Sequence, residues 1–153
     1  MIKLQLKYLS FFFGLISILS FFNIIYSYYL NLYLNLNTYY FSLIISLLIS
    51  ILFFKLKVNE KKQSIFDKIL TVLFGYILIP LILCIPFYFS IYNLTLLNSY
   101  FETVSGFTST GFTIFENIKN IDQSLILWRS STQWIGGLYF LFSIIFLIDI
   151  YDE

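Results

Sequence analysis

The sequence has no histidine, a single cysteine (Cys84), one methionine and two prolines. Without histidine and with one thiol, neither a Cys/His nucleophile pair nor the ligand set of a zinc site can be assembled. Cys84 lies within an apolar run and reads as a small hydrophobe. Charge is equally scarce: 11% of the 153 residues are charged, against about a quarter in a soluble domain. The net charge of +1 offers no basic face, so no nucleic-acid partner is expected. What fills the chain instead is apolar. Hydrophobic residues make up 59% and aromatics 22%, the latter read mostly as lipid-facing bulk. No enzymatic chemistry and no organic cofactor are expected.

The nine basic residues stand in three groups: Lys3 and Lys7, then five lysines from Lys55 to Lys68, then Lys119 and Arg129. Between them run stretches long enough to cross a bilayer, which takes about 20 apolar residues. The first is Tyr8 to Leu30. Its basic start resembles a signal peptide, but it is too long and lacks a small-residue cleavage site. The second is Tyr39 to Phe54. The third is Ile69 to Ile91, with Pro80 and Pro86 predicted to kink its outer half. The fourth is Gln123 to Ile148, with Asp122 as its N-cap. These spans predict an all-α integral membrane protein.

Basic residues in short loops mark the cytoplasmic side. Lys3, Lys7 and the 55–68 loop therefore predict a cytoplasmic N-terminus and a cytoplasmic second loop. The uncharged turn at Asn31 to Thr38 and the region 92–122 belong outside. The setting is a multi-pass protein of the cell's inner membrane, with the lipid bilayer as its first partner.

Residues 93–122 are too polar to span, yet they contain a semi-apolar segment from Asn98 to Phe107, predicted as a short helix capped by Asn98. A loop of Thr108, Ser109, Thr110, Gly111 and Phe112 follows. Non-helical backbone at membrane depth is tolerated only inside protein or beside a water-filled path. Potassium crossing a narrow pore needs neutral oxygens in place of its water. Backbone carbonyls serve, given the left-handed conformations that glycine adopts readily. The preceding helix would aim its negative end at the ion. The loop has the composition of one strand of such a filter. An ordinary outer connecting loop is also rich in Ser, Thr and Gly, and both readings stand on these residues alone.

Phe101 to Thr113 (Phe-Glu-Thr-Val-Ser-Gly-Phe-Thr-Ser-Thr-Gly-Phe-Thr) resembles the first pore loop of the Trk/Ktr/HKT potassium transporters, the TrkH type in particular. Ser124 to Gly137 (Ser-Leu-Ile-Leu-Trp-Arg-Ser-Ser-Thr-Gln-Trp-Ile-Gly-Gly) is similar to the helix that follows it in that family. The resemblance implies two extra N-terminal transmembrane helices, residues 1–58, and one helix–pore loop–helix repeat, residues 59–153. It implies that Thr108, Ser109, Thr110 and Gly111 supply one quarter of a potassium site, with Phe112 closing the loop. It implies potassium as substrate, three further repeats around one pore, and a cytoplasmic nucleotide-binding regulatory subunit as partner. The chain holds one repeat, which predicts a truncated chain or a fragment. The alternatives are a small homotetrameric cation channel and a non-transporting membrane remnant that binds a partner.

The remaining residues carry structural expectations. Glu102, Gly106 and Arg129 are assigned to support of the loop, with Arg129 paired to Glu102 or to carbonyls, so that exchanging the two charges should restore function. Trp128 reads as an interface anchor and packing residue, and Trp134, deeper, as packed between helices. Gly136 and Gly137 allow close helix approach. The basic loop is explained by orientation and lipid attraction.

Overall fold

A computed structural model describes residues 4–56 and 65–148. Lys3, the middle of the basic loop and the acidic end at Asp152 and Glu153 lie outside the described residues. Within them the chain is helical throughout, with no strand: α1 Leu6–Tyr29, α2 Leu36–Lys55, α3 Ile65–Leu83, α4 Ile85–Tyr88, α5 Leu96–Phe107 and α6 Gln123–Ile148, with a 3-10 turn at Ile118–Asn120. Four stretches are long and apolar enough to cross a membrane: Leu6–Tyr29, Leu36–Lys55, Ile65–Tyr88 and Gln123–Ile148. Their outward faces carry Phe11, Phe22, Leu48, Leu73 and Ile145. A soluble bundle would present polar residues there.

α1 and α2 pack along small residues. Ser10 Oγ donates to the Ser50 carbonyl at 2.9 Å, and Ser50 Oγ donates back to the Ser10 carbonyl at 2.8 Å. Ser20 and Ser42 join their hydroxyls at 3.1 Å further along. Between apolar surfaces, close backbone approach and such hydrogen bonds take the place of the hydrophobic effect.

The pair is fixed to the rest of the chain at both ends. At one end Tyr8, Phe12, Tyr139 and Phe146 form a ring cluster, Tyr8 stacking on Phe146 at 4.6 Å between centroids. Tyr139 donates to the Val72 carbonyl at 2.8 Å and lies over Gly75, where a methyl group would strike its hydroxyl. At the other end Asn35 donates to Asp122 at 2.9 Å and accepts from the Ile91 amide at 3.1 Å. Asp122 also accepts from Ser124 Oγ at 2.5 Å, and Ser124 Oγ in turn accepts from the Tyr39 hydroxyl at 2.8 Å.

The third span is broken where its prolines predict. Pro80 lies inside α3 and Pro86 in the first turn of α4, with Cys84 between the two helices. A proline nitrogen cannot donate to the carbonyl four residues back, here those of Tyr76 and Ile82, and its ring disrupts the helix there. At the break, no Phe87 amide reaches the Leu83 carbonyl either. The break leaves the Leu83 carbonyl open to Trp128 Nε1, which donates to it at 3.0 Å. Trp128 is fully buried, so its packing role holds and its interface-anchor role does not. Trp134 differs from expectation in the opposite sense. It is 55% exposed, because its place less than two turns further on rotates it to another face of α6.

Candidate functional site: the 108–112 loop

α5 is capped three residues earlier than Asn98, the cap its sequence suggested. Thr95 is extended at φ −66° and ψ 156°, and its Oγ1 accepts from the Asn98 amide at 3.2 Å. A cap residue needs that extended backbone with its side chain facing the third amide. Asn98 occupies the third helical position and supplies only its N–H.

The helix ends at Phe107 and the chain turns sharply. Ser109 and Gly111 both have positive φ, 56° and 85°. That geometry suits Gly111 at little cost and is uncommon for a serine. The turn is closed by amides that all reach back to the helix end. Thr108 N donates to Val104 O and Ser109 N to Gly106 O, each at 2.9 Å, and Thr110 N and Gly111 N donate to Ser105 O at 3.0 and 3.4 Å.

In a trans peptide the N–H and the preceding C=O point in opposite directions, and no peptide bond here is cis. The Ser109, Thr110 and Gly111 amides face the helix end. The carbonyls of Thr108, Ser109 and Thr110 therefore face away from it. Among the described residues no hydrogen bond reaches the carbonyls of Thr108, Ser109, Thr110 or Gly111. Residues 108–112 are exposed. Phe112 differs: its carbonyl accepts from Ser105 Oγ at 2.6 Å and from Arg129 Nη2 at 3.4 Å.

The hydroxyls are ordered too. Thr108 Oγ1 donates its single proton to Val104 O at 2.8 Å and meets Thr110 Oγ1 at 2.7 Å. Thr110 must then be the donor of that pair. Its oxygen keeps lone pairs for a further partner.

Behind the loop sits a buried carboxylate. Glu102 is 0% exposed and Arg129 14%. Arg129 Nε donates to Glu102 Oε1 at 2.6 Å. Thr113 Oγ1 donates to both carboxylate oxygens at 3.1 and 3.0 Å, and the Ile114 amide donates to Oε2 at 3.0 Å. The carboxylate thus ties the strand leaving the loop to α5 and to α6. The pairing anticipated for Arg129 is present, with one consequence the residue types alone did not show. An arginine at position 102 has no acceptor for the Ile114 amide, so exchanging the two charges restores the ion pair and not the strut.

Gly106 and Gly136 mark where α5 and α6 touch. A methyl group at Gly106 would strike Thr132 Oγ1, and one at Gly136 would strike the Phe107 carbonyl. Gly137 is unlike them, with nothing within 4 Å of such a methyl group. It borders a cavity of about 360 Å³ beneath the loop, lined also by Tyr76, Phe107, Thr108, Ser109 and Phe140. Among the described residues no group of three or more His, Cys, Asp or Glu side chains could hold a metal ion. Any cation at this site would meet neutral oxygens.

Sequence reasoning brought together Glu102, Gly106, Arg129 and 108–112 and missed Ser105, Thr113 and Gly75. A serine two residues before the helix end was the available signal for Ser105. Nothing local pointed to Gly75, whose partner is 64 positions away.

No family model matches the chain, and no solved structure matches it. Part of it is similar to curated transporters. It is 39% identical over 54 residues to an uncharacterized cation transporter of Methanocaldococcus jannaschii, covering 35% of this chain and 11% of that protein. It is 42% identical over 60 residues to the Trk system potassium uptake protein TrkI of Halomonas elongata, covering 39% and 11%. It is 33% identical over 73 residues to the Trk system potassium uptake protein TrkG of Escherichia coli, covering 47% and 15%. The matched stretch spans 11–15% of the length of these relatives. Over that stretch the chain is similar to Trk potassium uptake proteins.

Proposed function

We propose that the chain takes part in potassium transport across a membrane, and that residues 108–112 form one quarter of a selectivity filter. Potassium is the substrate and no cofactor is involved. The observation that carries this reading is the row of carbonyls at 108–110, turned from the helix end and, like that of Gly111, bonded to nothing in the described chain. The same amides close the end of α5 as a left-handed C-cap, a turn many helices share; the filter reading adds a use for the exposed oxygens that this turn presents. A cation losing its water needs such neutral oxygens, and the C-terminal end of α5 adds partial negative charge at the same place. Glu102, Gly106 and Arg129 support the loop. The named activities of the similar proteins favour the same substrate.

In this reading residues 1–58 are a helix pair lying outside the pore, and 59–153 are one helix–pore loop–helix repeat. Three further repeats complete the ring. The N-terminus is cytoplasmic and the membrane is the cell's inner one. The end carrying Lys7, Lys55 and Lys68 faces a cytoplasmic nucleotide-binding regulatory subunit.

The test is potassium uptake by the native gene product in cells lacking their own uptake systems. Restored growth at low potassium is the expected result, and Gly111→Ser should lower the preference for potassium over sodium, since serine resists a φ near 85°. No potassium or sodium flux from the native gene product would overturn the proposal.

A further inference from the structure

We infer that Ser105 sets the register of the loop's oxygen row and is a selectivity-determining positioning residue. The inference rests on the filter reading of 108–112. Ser105 grips three successive loop residues. Its carbonyl accepts from Thr110 N at 3.0 Å and Gly111 N at 3.4 Å, and its hydroxyl donates to the Phe112 carbonyl at 2.6 Å.

The two grips act in opposite senses. Holding the Thr110 and Gly111 amides turns the Ser109 and Thr110 carbonyls outward, since a trans peptide opposes the two groups. Holding the Phe112 carbonyl turns that oxygen inward. The row therefore ends after Gly111. One residue directs two of the oxygens and marks where the row stops.

Its hydroxyl is used unlike its neighbours'. Ser99, Thr103 and Thr108 each donate to the carbonyl four residues earlier, at 3.0, 2.9 and 2.8 Å. That local bond is the usual one for a helical hydroxyl. Ser105 instead reaches seven residues forward, and its own side chain is buried. Arg129 Nη2 touches the same carbonyl only at 3.4 Å, a weaker hold.

The test measures rubidium and sodium uptake by the native gene product carrying Ser105→Ala, with Gly111→Ser in parallel. Ser105→Ala keeps the backbone grip and removes the hydroxyl. The rubidium-to-sodium ratio should fall by about fivefold to tenfold, the change that one neutral hydrogen bond supports, with the amount of protein in the membrane unchanged. If Gly111→Ser lowers the ratio and Ser105→Ala does not, the Ser105 inference fails and the filter reading stands. If neither moves it, the filter reading fails with it. Should the alanine variant not accumulate, Ser105→Thr and Ser105→Cys decide. Threonine keeps the donor and should keep the ratio; cysteine, a weak donor, should lower it. Equal ratios in those two would overturn the inference.

Discussion

Glu102 shows how much one buried side chain can hold. Its carboxylate receives Arg129, Thr113 and the Ile114 amide together, and removing one partner of a buried ion pair costs about 3–5 kcal/mol. Glu102→Ala should therefore abolish uptake, and Arg129→Ala should come close to it. The double exchange Glu102→Arg with Arg129→Glu should remain inactive, because the Ile114 amide would face a cation. Recovery of uptake by that double variant would show that charge pairing alone matters. The two adjacent glycines separate in the same way. Gly136→Ala drives a methyl group into the Phe107 carbonyl and should lower the unfolding temperature in detergent, at about 1–3 kcal/mol for overpacking. Gly137→Ala meets open space and should be neutral or stabilising by up to about 1 kcal/mol, from helix propensity.

At the scale of elements, the break between α3 and α4 is the feature on which packing depends. Two prolines open the helix, and the buried indole of Trp128 closes the exposed Leu83 carbonyl. Trp128→Phe keeps most of the ring and leaves that carbonyl unpaired. It should destabilise the protein by about 1–3 kcal/mol, read as a drop in thermal midpoint, with the transported ion unchanged. α5 depends on a different kind of neighbour. Its start is set locally by Thr95 and its end by contacts with α6 at Gly106 and Gly136. The α1–α2 pair is joined to the start of α6 by Asn35 and Asp122. A double-mutant cycle on those two should give a coupling energy of about 0.5–3 kcal/mol; a value near zero would make the contact incidental.

For the whole molecule the expectation is an alternation of four crossings with Lys7, Lys55 and Lys68 on the cytoplasmic side. Cys84 is the single thiol and is buried, so a Cys84→Ala background is a clean one for labelling. A cysteine introduced at Leu34 or Lys119 should react with an impermeant reagent from outside, and one at Lys55 should not. The four apolar spans were legible because length and hydropathy act locally, and α6 falls on the apolar run from Gln123 to Ile148. The turn chemistry of Gly111 and the pairing of Arg129 with Glu102 were legible from residue type as well. What sequence alone left undecided depends on which face of a helix meets which neighbour. Trp128 went inside and Trp134 outside for that reason. The loop is the same case. Its composition determined that it can bend at Gly111 with little strain and offer neutral oxygens. Only the packed end of α5, gripping each amide in turn, decided which way those oxygens face, because a peptide's direction is set by the partner of its N–H.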